Sequence, residues 1–402
     1  MTDRRPPLPD VPSDPRLVAR IRGEIERTGP MTFARFMELA LYDPAAGYYT
    51  SERPRPTRGG DFLTAPELHP IFGRALARQA IEVWERLGRP ETFAIREYGA
   101  GSGALAGPLL ERIGRDAPEL ARVVRYEPVE RNPHRLDELR ARLIAAGFGD
   151  RIGEGRGRLT GIVLANEFLD ALPFHRVESN PAFPAALAEL YVVADGGGFR
   201  EEPGPPSTPV LAARLAADGV TLAPGQRGEV RLADAPWLAT VAEDLDAGVA
   251  LVIDYALPAR ELYSARRMAG TLVAYLGHVA HGDPFRSIGR QDLTAHVDLT
   301  ALERSARAAG LDVLGSTTQA EFLVGCGLEG LLEEARADAR TDLAGWAELR
   351  SSVARLLDPR ATGGFRVAVF GRGVAPDPPL SGLSFRLRTT SGPGDPATRI
   401  GS

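Results

Sequence analysis

Residues Glu97 to Gly103 read Glu-Tyr-Gly-Ala-Gly-Ser-Gly, and no other stretch restricts the fold as much. A short run of strand type, Phe93–Glu97, leads into them. A helical pattern over Ala104–Arg115 follows, with Leu105, Leu109, Leu110 and Ile113 on one face. Strand, glycine turn and helix start together make a place where the backbone can approach a nucleotide-like ligand closely. The glycine spacing alone leaves the ligand open, because Gly99, Gly101 and Ala104 also fit the dinucleotide pattern G-x-G-x-x-G/A. An ordinary turn whose glycines only permit positive φ fits as well.

The carboxylate of Glu97 separates the ligand classes. A pyrophosphate seeks N–H groups at a helix start and is repelled by an acid beside it. S-adenosyl-L-methionine carries an α-ammonium and a sulfonium and no phosphate, so an acid at the strand end suits it. Glu97, Gly99, Gly101 and Gly103 are therefore the expected cofactor loop.

Strand and helix patterns alternate from residue 92 to 172, which predicts a parallel sheet. Strands are expected at Phe93–Glu97, Val123–Val129 and Gly161–Asn166, with helices near Ala104–Arg115 and Pro133–Ala146. Val249–Tyr255 resumes the sheet, followed by a helix at Leu299–Ala309 and strands at Leu311–Leu314 and Phe365–Phe370. In such a sheet the ligand sits beyond the carboxyl ends of the strands. Glu130, after the second strand, can accept both ribose hydroxyls, with Glu127 as the competitor because Pro128 blurs the strand end. Asn166, Glu167 and Asp170, after the third strand, are placed to face a methyl acceptor. Capping of a following helix is the other reading of these three. Asp254 and Tyr255 end a fourth strand at the same edge. Methyl transfer needs in-line geometry and a free lone pair, so carboxylates would serve by orienting a cationic acceptor.

The ends of the chain and its remaining sections divide as follows. Residues 1–16 read as a flexible arm. An N-terminal helical segment spans 17–91, with helices expected at Leu17–Thr28, Phe33–Leu41 and Glu67–Leu87. The catalytic domain spans 92–373, with an insertion of some hairpin character around 173–240 and a polar lid-like loop at 277–298. Residues 374–402, rich in Pro, Ser and Gly, read as a disordered tail.

Composition removes several function classes. All 48 basic residues are arginine, so Schiff-base chemistry and a P-loop lysine are excluded. The net charge of −5 does not favour a nucleic-acid surface. The single cysteine, Cys326, excludes an internal disulfide and a multi-cysteine zinc site. The histidines around His278, His281 and His296 match no common zinc spacing, so no metal is expected. The first sixteen residues lack an apolar h-region, and no apolar run reaches the roughly 18 residues of a membrane span. The expected compartment is the cytoplasm.

Further motifs give a resemblance. Arg35-Phe36-Met37-Glu38-Leu39-Ala40-Leu41-Tyr42 with Gly47-Tyr48-Tyr49, and Gly60-Asp61-Phe62-Leu63-Thr64-Ala65-Pro66-Glu67, resemble signatures of MidA-type class I methyltransferases, whose mitochondrial members are complex I assembly factors. Ala165-Asn166-Glu167-Phe168-Leu169-Asp170-Ala171-Leu172-Pro173, Val252-Ile253-Asp254-Tyr255 and Asp292-Leu293-Thr294-Ala295-His296-Val297-Asp298 follow in the same order. The resemblance covers roughly residues 30–373. It implies a Rossmann-like class I methyltransferase sheet with an N-terminal helical segment and a family-specific insertion. It further implies S-adenosyl-L-methionine as cofactor and a protein arginine as acceptor. It favours Glu130 over Glu127 and brings Asp61 and Thr64 over the methionine end of the cofactor. Asn132 stands where the family has Ser, Ala100 where Pro is usual, Ser102 where Arg is common, and Ala256 where Gly is frequent. The expected partner is a protein substrate, with a homodimer left open. Two other functions fit a similar fold: a cofactor-binding assembly protein with little turnover, and a nicotinamide-dependent oxidoreductase.

Overall fold

The computed structural model describes residues 8–51, 64–277, 279–338 and 342–387. Its centre is a six-stranded sheet built from β1 (Phe93–Tyr98), β2 (Val124–Val129), β3 (Leu159–Asn166), β4 (Leu245–Asp254), β5 (Asp312–Thr318) and β6 (Arg366–Arg372). The spatial order is β5-β6-β4-β3-β1-β2. The pairs β2–β1, β1–β3 and β3–β4 are parallel, and β6 runs antiparallel to both of its neighbours. Parallel strands are covered on both faces and so read as continuous apolar runs. β3 shows this, with Gly161 to Ala165 all buried.

Alternation along each strand divides the core in two. Ile162 and Leu164 face the layer holding Leu76, Leu109 and Phe322, while Val163 and Ala165 face Leu238, Val241 and Leu302. The helix expected at Glu67–Leu87 is two helices, Ala65–Leu68 and Ile71–Arg86. Pro70 lacks an N–H and forces the residue before it into an extended conformation, and His69 accordingly lies at φ −165°.

The helices Pro15–Thr28 and Phe33–Tyr42 bury a separate apolar stripe against a second, antiparallel sheet. That sheet joins Met31–Thr32, His175–Ser179, Leu187–Asp195, Gly198–Gly204 and Arg227–Val230. Phe33 stacks on Phe174 at 5.5 Å and Phe36 packs on Phe285 at 5.2 Å, so rings fill the joint. The section around 173–240, expected as an insertion of some hairpin character, is thus mostly this sheet. Its last part, the helix Asp234–Asp244, returns to cover the central sheet.

Two expectations of loose chain, and one of a polar lid-like loop without regular structure, differ from what the described residues show. Residues 11–14 are docked: the Ser287 hydroxyl donates to the Val11 carbonyl at 2.5 Å, and the Asp14 N–H donates to the Ile288 carbonyl at 2.9 Å. The polar loop 277–298 contains strands Val279–His281 and Asp292–Thr294 and buries Ile288 and Leu293. His278 lies outside the described residues. Residues 374–387 pack as well, with Leu380 and Leu383 buried and the Ser381 hydroxyl donating to Glu82 at 2.6 Å. In the last two segments apolar anchors among the polar residues supply the burial that the local composition hides, whereas residues 11–14 are held by hydrogen bonds and the buried Asp14.

Candidate active site

In the sheet order β1 connects to β2 on one side while β3 lies on the other. The connections therefore diverge at the carboxyl ends of β1 and β3, where a crevice must open. A cavity of about 950 Å³ lies there. Glu97, Gly99, Gly101, Glu130, Asn166, Glu167, Asp170 and Thr64 all reach its wall. Gly103 does not line it, and Asp61 lies outside the described residues.

At the end of β1 the Glu97 carboxylate is buried and accepts a hydrogen bond from the Tyr126 hydroxyl on β2. Burial lifts its pKa to about 7; the Tyr126 hydroxyl opposes the rise and the charge of Glu130 adds to it. Among the described residues no cation pairs with Glu97. A buried acid with one hydroxyl partner and an open cavity beside it suits a bound ammonium group.

The glycines that follow are required by conformation and by contact. Gly99, Gly101 and Gly103 have φ of 68°, 52° and 72°. A Cβ on Gly103 would lie 2.8 Å from Leu139 Cγ, so this glycine lets the helix Pro133–Ala145 approach the loop. Its work is packing behind the site.

Glu130 joins the two loops. One of its carboxylate oxygens accepts the Gly101 N–H and the other accepts the Asn132 N–H, each at 2.9 Å. Each oxygen can accept a further hydrogen bond, so this cavity-lining carboxylate has the capacity to take both hydroxyls of a diol. Glu127 instead pairs with the buried Arg96 at 2.7 Å and does not reach the cavity. Asn132 does two jobs. Its side-chain oxygen caps Pro133–Ala145 through the His134 N–H at 3.1 Å, and its amide donates to the Tyr49 and Ser51 carbonyls at 3.0 and 3.3 Å. Serine could cap but could not span to the N-terminal segment.

Beyond β3 the chain forms turns, so Asn166 caps no helix. Glu167 sits at φ 50°, a strained value for a residue with a side chain. Its carboxylate accepts the Ala65 N–H at 2.9 Å and the Asn166 amide at 3.3 Å. Burial pushes it well above the usual carboxylate range, with Asp170 and Asp254 adding repulsion. Asp170 accepts the Thr294 hydroxyl at 2.9 Å, while its other oxygen and the Asn166 side-chain amide oxygen have no partner among the described residues. Asp254, fully buried, stands behind the cavity and accepts the Leu169 and Tyr255 N–H groups at 2.9 and 2.8 Å.

Several contributors went unread as site residues. Tyr42 donates to the Ala171 carbonyl at 2.9 Å and Tyr49 donates to Asp292 at 2.7 Å, both on the cavity wall. Tyr126 and Asn132 are further cases. Their only signal was position, three residues to either side of Val129, the end of β2. Among the described residues no cluster of three or more His, Cys, Asp or Glu groups is placed to hold a metal ion. No helix among them is long and apolar enough to cross a membrane.

Comparison with known proteins decides the family. Residues 75–317 match the model of the family described as "Putative S-adenosyl-L-methionine-dependent methyltransferase". The chain belongs to this methyltransferase family. A crystal structure from Burkholderia thailandensis, bound to S-adenosyl-homocysteine, is 33% identical at a TM-score of 0.80, covering 92% of this chain and 94% of that one. Among curated proteins, the chain is similar to the mitochondrial protein arginine methyltransferase NDUFAF7 homolog of Drosophila melanogaster, 28% identical over 86% of this chain and 82% of that protein. The human NDUFAF7 is 27% identical over 76% and 72%. The protein is an S-adenosyl-L-methionine-dependent methyltransferase, and the nicotinamide reading falls. The expectation of a cytoplasmic protein falls too, because these curated relatives are named mitochondrial.

Proposed function

We propose that the chain methylates a guanidino nitrogen of arginine in a protein substrate, with Glu97, Gly99, Gly101, Glu130 and Thr64 holding the cofactor and Asn166, Glu167 and Asp170 holding the acceptor. One observation carries this reading. The β3 end of the cavity is lined by Glu167, Asp170 and Asn166, where one Asp170 oxygen and the Asn166 side-chain oxygen have no partner among the described residues, and no cation among them pairs with Glu167. A guanidinium offers five N–H donors in a plane and no acceptor, which is the complement of that set. The curated relatives named protein arginine methyltransferases support the same acceptor.

When bound, the cofactor supplies a methyl group on a sulfonium. A new N–C bond forms as the S–C bond breaks, and the guanidino nitrogen then sheds one proton. Glu167 and Asp170 orient the acceptor and draw its positive charge away from the reacting nitrogen, which exposes the lone pair. Glu167, whose pKa burial has raised, is suited to receive the proton that leaves. Glu97 and Glu130 fix the cofactor end, so the two reactants meet in line.

The test is methyl transfer from isotope-labelled cofactor to proteins of a native lysate, read by mass spectrometry. The mark should fall on arginine and disappear with Glu167→Gln. Label on another residue type, or no label on any protein, overturns the proposal.

A further inference from the structure

We propose that Arg231 is a positioning residue for methyl transfer, tying the turn after β3 to the 295–296 chain and so fixing Asp170 against the cavity wall. The inference rests on the assignment of Asp170 to the acceptor end. Arg231 follows directly on the strand Arg227–Val230 of the second sheet and is buried. It has no carboxylate partner among the described residues. Instead its donors go to carbonyls: Asp170 and Ala295 at 3.1 Å each, Leu172 at 3.2 Å and His296 at 3.4 Å. Its guanidinium also lies over the Phe174 ring at 5.5 Å.

A buried arginine spent on four main-chain carbonyls is costly as a purely structural device, since an apolar side chain could fill the space. What it does achieve is the joining of two segments that both contribute to one side chain. Asp170 comes from the turn, and Thr294, its hydroxyl partner, from the strand Asp292–Thr294. Arg231 clamps the turn to the chain just after that strand. The inserted sheet thereby delivers the guanidinium beneath the acceptor end.

The charge of Arg231 matters as well as its donors. Asp170 is faced by Thr294, by Asp254 and Tyr255 at the end of β4, by Tyr275, and by Glu167 in its own turn. Burial raises Asp170, while Thr294 and the charge of Arg231 hold it down. The same charge opposes the rise of Asp254. Loss of the cation should move the Asp170 midpoint to higher pH.

The experiment compares Arg231→Gln and Arg231→Lys in the full chain. S-adenosyl-homocysteine affinity, kcat and the titration of the Asp170 carboxyl carbon by NMR are measured, with Asp170→Asn supplying the assignment. Both variants should bind S-adenosyl-homocysteine within about twofold of wild type and lose at least about tenfold in kcat, the factor that 1.4 kcal/mol represents. Arg231→Lys should keep the Asp170 midpoint near wild type, because charge is retained, and Arg231→Gln should raise it. An unchanged kcat per folded molecule in either variant, or an unchanged midpoint in Arg231→Gln, overturns the proposal. If Arg231→Gln does not fold, Arg231→Lys decides by its kcat. If the wild type methylates no arginine, the acceptor assignment fails on its own, and the Asp170 titration still judges Arg231.

Discussion

Replacing Glu97 by Gln should separate stability from cofactor binding in opposite directions. The carboxyl sits 5% exposed beside Tyr126, with its pKa lifted from 4.5 to about 7. In the cofactor-free protein this elevation means that ionising Glu97 opposes folding. A raised carboxylate favours the fold while protonated, and that advantage declines as pH rises from the unfolded value through the folded one. The shift corresponds to about 3 kcal/mol at full development, above pH 7. Gln keeps a carbonyl to accept the Tyr126 hydroxyl and carries no charge, so Glu97→Gln should have the higher Tm at pH 8 without cofactor.

Cofactor binding should respond the other way. An α-ammonium needs the ionised acid, so wild-type affinity should weaken about tenfold from pH 8 to pH 6 as a group near 7 takes up its proton. Loss of a charge-assisted hydrogen bond costs about 1.5–3 kcal/mol, so Glu97→Gln should bind about 10- to 100-fold more weakly at pH 8. The variant should also lose the pH slope. Calorimetry with S-adenosyl-homocysteine across that range, together with thermal melts of the free protein, reads both effects. A variant that binds as tightly as wild type with the same pH slope would refute the assignment of Glu97. A lower Tm at pH 8 would refute the account of its burial.

Four further outcomes follow from the same geometry. Tyr126→Phe removes the hydroxyl that holds Glu97 down, so the acidic limb of cofactor binding should move to higher pH in the same titration. Asn132→Ser should retain the helix cap but lose the amide bonds to Tyr49 and Ser51, costing about 1 kcal/mol by denaturant unfolding, with Asn132→Ala costing about 2. Gly103→Ala combines φ 72° with a 2.8 Å approach to Leu139 and should lose about 2 kcal/mol or more in the same assay. Glu167→Gly relieves a positive φ by about 1 kcal/mol but leaves the buried Ala65 N–H without its acceptor, so its Tm should stay close to that of wild type while the proposed acceptor ligand is lost and no methyl is transferred.

The parts of this architecture that were legible in the chain share a physical cause. Strands buried on both faces must be apolar throughout, so β3 and β4 stand out as runs, and their end groups Asn166 and Asp254 come with them. The glycine loop is legible because positive φ leaves few choices of residue. What stayed hidden depends on contacts distant in sequence. Arg231 is one arginine among 48 basic residues, and nothing local shows that its donors meet carbonyls more than sixty positions away in one direction and about sixty in the other. The second sheet was obscured because its strands bury charged residues, Arg176, Glu189 and Glu229, between glycine- and proline-rich turns. The break at Pro70 was readable from the residue itself, but the strong apolar stripe on either side of it masked the kink.

The assignment of the strand-end acids to two halves of one cavity is tested most directly by a crystal structure of this chain with S-adenosyl-homocysteine. The account predicts the amino acid portion beside Glu97, the ribose hydroxyls on Glu130, and the sulfur facing Asn166, Glu167 and Asp170 across open space. A complex in which Glu130 does not touch the ribose, or in which the sulfur points away from Glu167 and Asp170, would contradict it.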